Sequence, residues 1–255
     1  MDLEFLSQHQ KIIEGCEGRI KWSAMNAVFH LKKAKEISEI DPLMAAFRSV
    51  CAEEEAATAL IASLQEQNYL GSEKINFRSH NDKHTVIVFI QAVILWLEKL
   101  KTQIGPAIGR HRLFTDEVNG RLAIRIGFQL GDTKNQIVPN PPLHLITQGD
   151  KTLADVFEKE VNAVLGKKKL SQVKRAISSR ANFRNKLLYA TPQGPYRHKG
   201  DISQWVMNQA GIVNSLLIAL ALVDPWRKPE FPHSGIVIAL IDVFLKLVSR
   251  LEKSS

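Results

Sequence analysis

A mainly α fold, a helical bundle with one small β-containing insertion, is what this sequence predicts, on three observations. Apolar residues recur at helical spacing over the first hundred residues and again beyond Lys151. Cap and breaker residues punctuate those stretches: Asp41-Pro42 opens one, Gly166 closes another and Pro225 follows a third. Only residues 105–150 change texture, with Asn119-Gly120 leading into the alternating "RLAIRIGF". The 255 residues suffice for one helical domain, 1–255, with the insertion inside it.

The elements follow in order. Gly18–Ile37 reads as an amphipathic helix, and Asp41–Asn68 as a second one with an Asp cap and Pro at its first position. Asn81–Lys101 is apolar nearly all round, which predicts the central helix, capped by Asn81 or Asp82. The insertion should hold a hairpin and the proline-broken "QIVPNPPLHLIT". Helices return over Lys151–Gly166, Lys167–Thr191, Asp201–Asp224 and Pro232–Lys253.

Composition bounds the class. Hydrophobic residues make up 45% and charged residues 24%, ordinary for a globular protein. "MDLEFLSQHQ" is too polar for a secretory signal, and the longest apolar runs fall short of the ~20 residues of a membrane span. Two cysteines, Cys16 and Cys51, fit a reducing compartment. A cytoplasmic protein without a membrane partner is therefore expected. Net charge is +8, which suits a polyanionic partner. Lys151 to Lys199 holds 12 Lys or Arg against three acids, or +9.

The candidate site starts from "CAEEEAATAL" (Cys51–Leu60). A helix turns about 100° per residue. With Glu54 at zero, Phe47 and Ile61 lie about 20° to either side, so Glu54 sits in mid-stripe while Glu53 and Glu55 flank it. In Lys167–Thr191 the stripe is Leu170, Val173, Ile177, Ala181 and Leu188, and Arg184 falls about 20° from Ile177. One helix thus sends an acid inward and another an arginine. They meet as a structural ion pair, or they line one polar cleft. "FRSHNDKHTV" places His80, Lys83 and His84 where the most apolar helix begins, a position suited to phosphate. With Lys83, the basic-segment residues Lys174, Arg175, Arg180 and Lys186 are candidate RNA or phosphate contacts.

"AEEEAATALI", then "SHNDKH", then "FRNKLLYAT", in that order, resemble the HEPN superfamily of helical ribonucleases and nucleotide-binding proteins, and within it the abortive-infection AbiV-like branch. The likeness is one of pattern over roughly residues 20–100 and 165–192. HEPN ribonucleases carry Arg, a polar residue, three further residues, then His. Arg184 and Asn185 match, whereas Tyr189 stands where the His belongs. The resemblance implies an anti-phage protein acting on RNA or translation as a metal-independent ribonuclease toxin, with Glu54, His80, His84, Arg184, Asn185 and Tyr189 as its site. It also implies a homodimer with a composite site, and a phage or host protein as a further partner. Tyrosine, with a pKa near 10, is a poor proton shuttle. A module that binds RNA, a nucleotide or a protein, and inhibits by occupancy, is therefore the alternative. His80 and His84 are also four apart, as metal ligands can be, but the Glu-x-x-His of di-iron bundles is missing, so neither metal nor cofactor is expected.

Overall fold

The structure, a computed structural model, describes residues 10–108, 111–118, 121–129, 136–139, 143, 152–165, 170–190, 194, 196, 200–223 and 233–253. Its helices are α1 (Gln10–Glu14), α2 (Gly18–Ile37), α3 (Pro42–Glu66), α4 (His80–Ile108), α5 (Leu153–Leu165), α6 (Leu170–Ala181), α7 (Phe183–Leu188), α8 (Ile202–Val223) and α9 (Gly235–Lys253). A 3-10 turn covers Ser72–Lys74. Strands β1 (His111–Val118), β2 (Arg121–Gln129) and β3 (Gln136–Ile137) form one antiparallel sheet in the order β1-β2-β3. The fold is mainly α with a small sheet.

Helix starts follow the sequence signals closely. Asp41 accepts the Met44 N–H at 3.0 Å, with Pro42 at the first position of α3. Thr152 and Asp155 cap α5 reciprocally, and Asp201 accepts the Ser203 N–H ahead of α8. At α4 the expectation of an Asn81 or Asp82 cap is corrected. Ser79 Oγ accepts the Asp82 N–H at 3.2 Å and donates to Asp82 Oδ1 at 2.9 Å, so Ser79 is the cap and Asp82 its partner. Helix α4 also runs on through Gly105-Pro106, so the change of texture begins with β1.

The central helix is α3, not the more apolar α4. It packs between α2 and α8 and also touches α4 and α7. Ala45, Ala46, Ala52, Ala56, Ala57, Ala59 and Ala62 are all buried along it. Their small side chains let neighbouring helices approach from several sides. Helix α4 carries larger residues but leaves Leu95 exposed. Mean hydropathy measures how apolar a helix is, not how many of its sides are covered.

Among the described residues, one helix, Ile202–Val223, is long and apolar enough to cross a membrane by length and composition. In this fold Val213, Leu216, Leu217 and Leu220 of that helix are buried in the main core, with Leu60, Ile87 and Phe244. Strands β1 and β2 pair from His111↔Phe128 to Val118↔Arg121, and β2 meets β3 at Phe128↔Ile137. Ile124 of β2 packs with Ile12 and Ala221, which ties the sheet to α1 and α8. The Asn119-Gly120 turn and most of "QIVPNPPLHLIT" lie outside the described residues.

The predicted helix Lys167–Thr191 is two helices. The helix is interrupted at Asn182, between α6 and α7, where the backbone stays in the right-handed helical region (φ −87°, ψ −7°). Leu187 is buried there, and Leu188, expected inward, is exposed.

Candidate functional site

Three elements converge on Glu54. Helix α3 buries its carboxylate. The Ser79–Asp82 cap starts α4 so that His80 and His84, one turn apart on one face, both turn toward α3. His80 Nδ1 lies 2.9 Å from Glu54 Oε2, and His84 Nε2 lies 3.3 Å from Oε1. Both contacts are short but off the N–H axis, so neither is an aligned hydrogen bond. Lys83 Nζ sits 3.7 Å from Oε2. Helix α7 is anchored by Phe183, whose ring lies 5.7 Å from that of Trp205. Trp205 Nε1 in turn donates to Ser49 Oγ on α3 at 3.1 Å. This anchorage delivers Arg184: Nη1 is 3.6 Å from Glu54 Oε2, and Nη2 is 3.1 Å from His80 Nε2.

A guanidinium can only donate, so in the neutral ring His80 Nε2 is the acceptor and the proton sits on Nδ1, toward the carboxylate. The cluster is graded in exposure. His84 is fully buried, whereas the His80 and Arg184 side chains are 39% and 34% exposed. One carboxylate faces two cations, Lys83 and Arg184, and the guanidinium is the more exposed of the two, at 34% against 12%. Among the described residues no group of three or more His, Cys, Asp or Glu side chains is arranged to hold a metal.

Burial pushes the Glu54 carboxyl upward. The contact with His84 and the positive charges of Lys83, His80 and His84 outweigh it, and the net shift is downward. A carboxyl with a lower pKa in the folded state stabilises the fold above its ordinary value of 4.5, and that stability is lost as pH falls through the folded value. Melting temperature should therefore drop with acidification below pH 4.5, and the drop should be shallower in Glu54→Gln.

A second buried acid lies next to it. Glu53, placed at the stripe margin by the helical wheel, is fully buried instead. Arg180 of α6 donates to it from Nε at 3.2 Å and from Nη2 at 2.5 Å, and Nη2 also meets Gln209 Oε1 at 2.8 Å. Arg180, expected among the RNA contacts, is turned toward Glu53 and Gln209 with its side chain 28% exposed. Burial raises the Glu53 pKa, and Arg180 pulls it back only in part.

The remaining candidates fall elsewhere. Arg175, Asn185 and Lys186 are exposed. Lys174 reaches the Glu252 carbonyl at 3.4 Å. Tyr189 follows the end of α7 in extended backbone and is 67% exposed. Among the described residues, neither Asn185 nor Tyr189 makes a side-chain hydrogen bond or ion pair to the Glu54 cluster.

Two further features adjoin this region, on α3 and on α2. Cys51 lies one turn before Glu54. Its thiol is pushed up to about 11 by burial and by Glu54, with Arg184 opposing. At pH 8 it should hold about 100-fold less thiolate than an ordinary cysteine, so alkylation of native protein should be slow and normal after unfolding, as followed by mass. The other is an aromatic stripe on α2, Trp22 and Phe29, seven residues apart and exposed. Its sequence signal is a second line of large residues beside the buried Ile20–Ala24–Ala27–Leu31 stripe.

No family model matches this chain, and neither does any curated protein or solved structure.

Proposed function

We propose that this protein is a HEPN-like, AbiV-type abortive-infection protein that acts on RNA, with Glu54, His80 and Arg184 as a metal-independent ribonuclease site. The observation that carries this reading is the 3.1 Å approach of Arg184 to His80 Nε2 at the open side of a cluster with excess positive charge. A phosphodiester placed there meets the guanidinium, which stabilises charge as it builds on the phosphoryl oxygens. His80 Nε2 takes the proton of the adjacent 2′-hydroxyl, whose oxygen attacks phosphorus. The 5′-oxygen leaves and is protonated from solvent or a second protomer, giving a 2′,3′-cyclic phosphate and a 5′-hydroxyl. Glu54 acts as a positioning residue through Nδ1. Its contact with His80 is bent, and in acid–base catalysis such contacts often tighten only when substrate binds.

The second reading, a module that inhibits by occupying RNA, a nucleotide or a phage or host protein, is favoured by Tyr189. It replaces the motif's usual imidazole and stands apart from the cluster. The test is incubation of labelled single-stranded RNA with purified protein and a chelator. Cyclic-phosphate products, reduced about 100-fold in His80→Ala, are expected. Intact RNA bound with a steep salt dependence would overturn the enzyme reading in favour of occupancy.

A further inference from the structure

Along α2, with Glu55 of α3 at its edge, runs an open, shallow groove of about 670 Å³. Trp22 and Phe29 stand on its α2 wall, 65% and 50% exposed. Cations lie over both rings: Lys21 Nζ is 5.8 Å from the Trp22 ring centre, and the Arg48 guanidinium is 5.9 Å from that of Phe29. Two of its lining residues, Arg19 and Glu55, connect it to the elements that carry the Glu54 cluster. Arg19 lies 4.5 Å over the ring of Phe77, three residues before His80. Glu55 follows Glu54 directly, and Cys51, one turn earlier on α3, is within electrostatic reach of Glu54 and Arg184 and also of Glu55 and Arg48. Groove and cluster share one turn of α3.

We propose that this groove stacks nucleobases of single-stranded RNA whose phosphate lies at Arg184 and His80. The inference rests on the RNA reading of that cluster. Exposed aromatic faces beside lysine and arginine form the usual platform for single strands, because every base has a π face and every linkage a negative charge. Duplex RNA keeps its bases stacked internally and cannot use it. Glu55, the acid in the lining, repels phosphate but accepts N–H groups of a base edge. It therefore turns the base inward and the backbone toward Arg19 and Arg48. A protein partner or second copy suits the groove less well: Trp22 and Phe29 are about 10 Å apart along α2, with polar Asn26 between them.

The test is fluorescence anisotropy of a 12-nucleotide single-stranded RNA, its abasic counterpart and an RNA duplex, with wild type, Trp22→Ala, Phe29→Ala and Arg184→Ala. Circular dichroism checks each fold, and gel filtration each size. Each aromatic variant is expected to bind the single strand about tenfold more weakly, with the abasic strand and the duplex unaffected. Loss of binding in Arg184→Ala with none in the aromatic variants would overturn the groove and leave the cluster reading standing. No binding of any RNA by wild type overturns both. Equal weakening for normal and abasic strands, or a change of oligomeric state in the aromatic variants, also overturns the proposal and assigns the stripe to packing or to a second copy.

Discussion

Arg180→Ala is expected to be among the most destabilising single substitutions in the chain, by about 3–5 kcal/mol at pH 8. The reason lies in Glu53, which is fully buried and receives both Nε and Nη2 of that arginine. Without Arg180, an ionised carboxylate would be left fully buried on α3 with only His84 to oppose its charge. It escapes by taking a proton. Burial already raises the Glu53 pKa in the intact pair, and losing the guanidinium raises it further. A folded-state pKa above the unfolded one gives stability that is present at low pH and lost as pH rises through the folded value. The penalty should therefore be smaller at pH 5 than at pH 8, the reverse of the acid limb expected from Glu54. Urea denaturation at both pH values measures it. Adding Glu53→Gln should recover much of the loss at pH 8 and flatten the pH dependence, because a neutral amide needs no countercharge. A loss of equal size at both pH values would mean that the arginine acts through packing and not through charge.

The contrast between Glu53 and Glu54 shows how far the sequence could be read. Glu54 faces inward on a simple helical wheel, and it is buried. Glu53 could not be found that way. The wheel assumes one buried stripe, whereas α3 is covered by α2 on one side and α8 on another, so its buried arc is wide enough for adjacent acids. Arg184 makes the opposite point. The wheel placed it inward along one continuous helix, yet the helix is interrupted at Asn182, and the residue reaches Glu54 only because Phe183 docks α7 on Trp205. Such docking is tertiary information with no local signature. The hairpin and the Asp41 cap were legible because their signals are local: a dipeptide before an alternating run, and an acid before a proline. The α2 groove was hidden for a different reason. Trp22 and Phe29 read as ordinary amphipathic spacing until their exposure is known.

Glu54→Gln and Arg184→Ala should move RNA affinity in opposite directions while both suppress turnover. Arg184→Ala removes the exposed cation that meets the phosphate, so affinity falls, and any cleavage falls by about 10²–10³-fold. Glu54→Gln keeps the shape of the side chain and removes the negative charge at the centre of the cluster. Lys83 and Arg184 then face the phosphate unopposed. One charge at about 6 Å, with an effective dielectric near 40 at this partly open site, is worth about 1.4 kcal/mol, or about tenfold tighter binding at low salt. The same change removes the anion that holds the His80 proton on Nδ1, leaving the ring without its orienting partner. Cleavage should fall about 100-fold although binding improves. Single-turnover rates and anisotropy on the same RNA separate the two effects. Tighter binding in a protein that never cleaves would establish an occupancy module whose carboxylate merely tempers its charge. Weaker binding in Glu54→Gln would place the phosphate elsewhere and remove this cluster from the functional site.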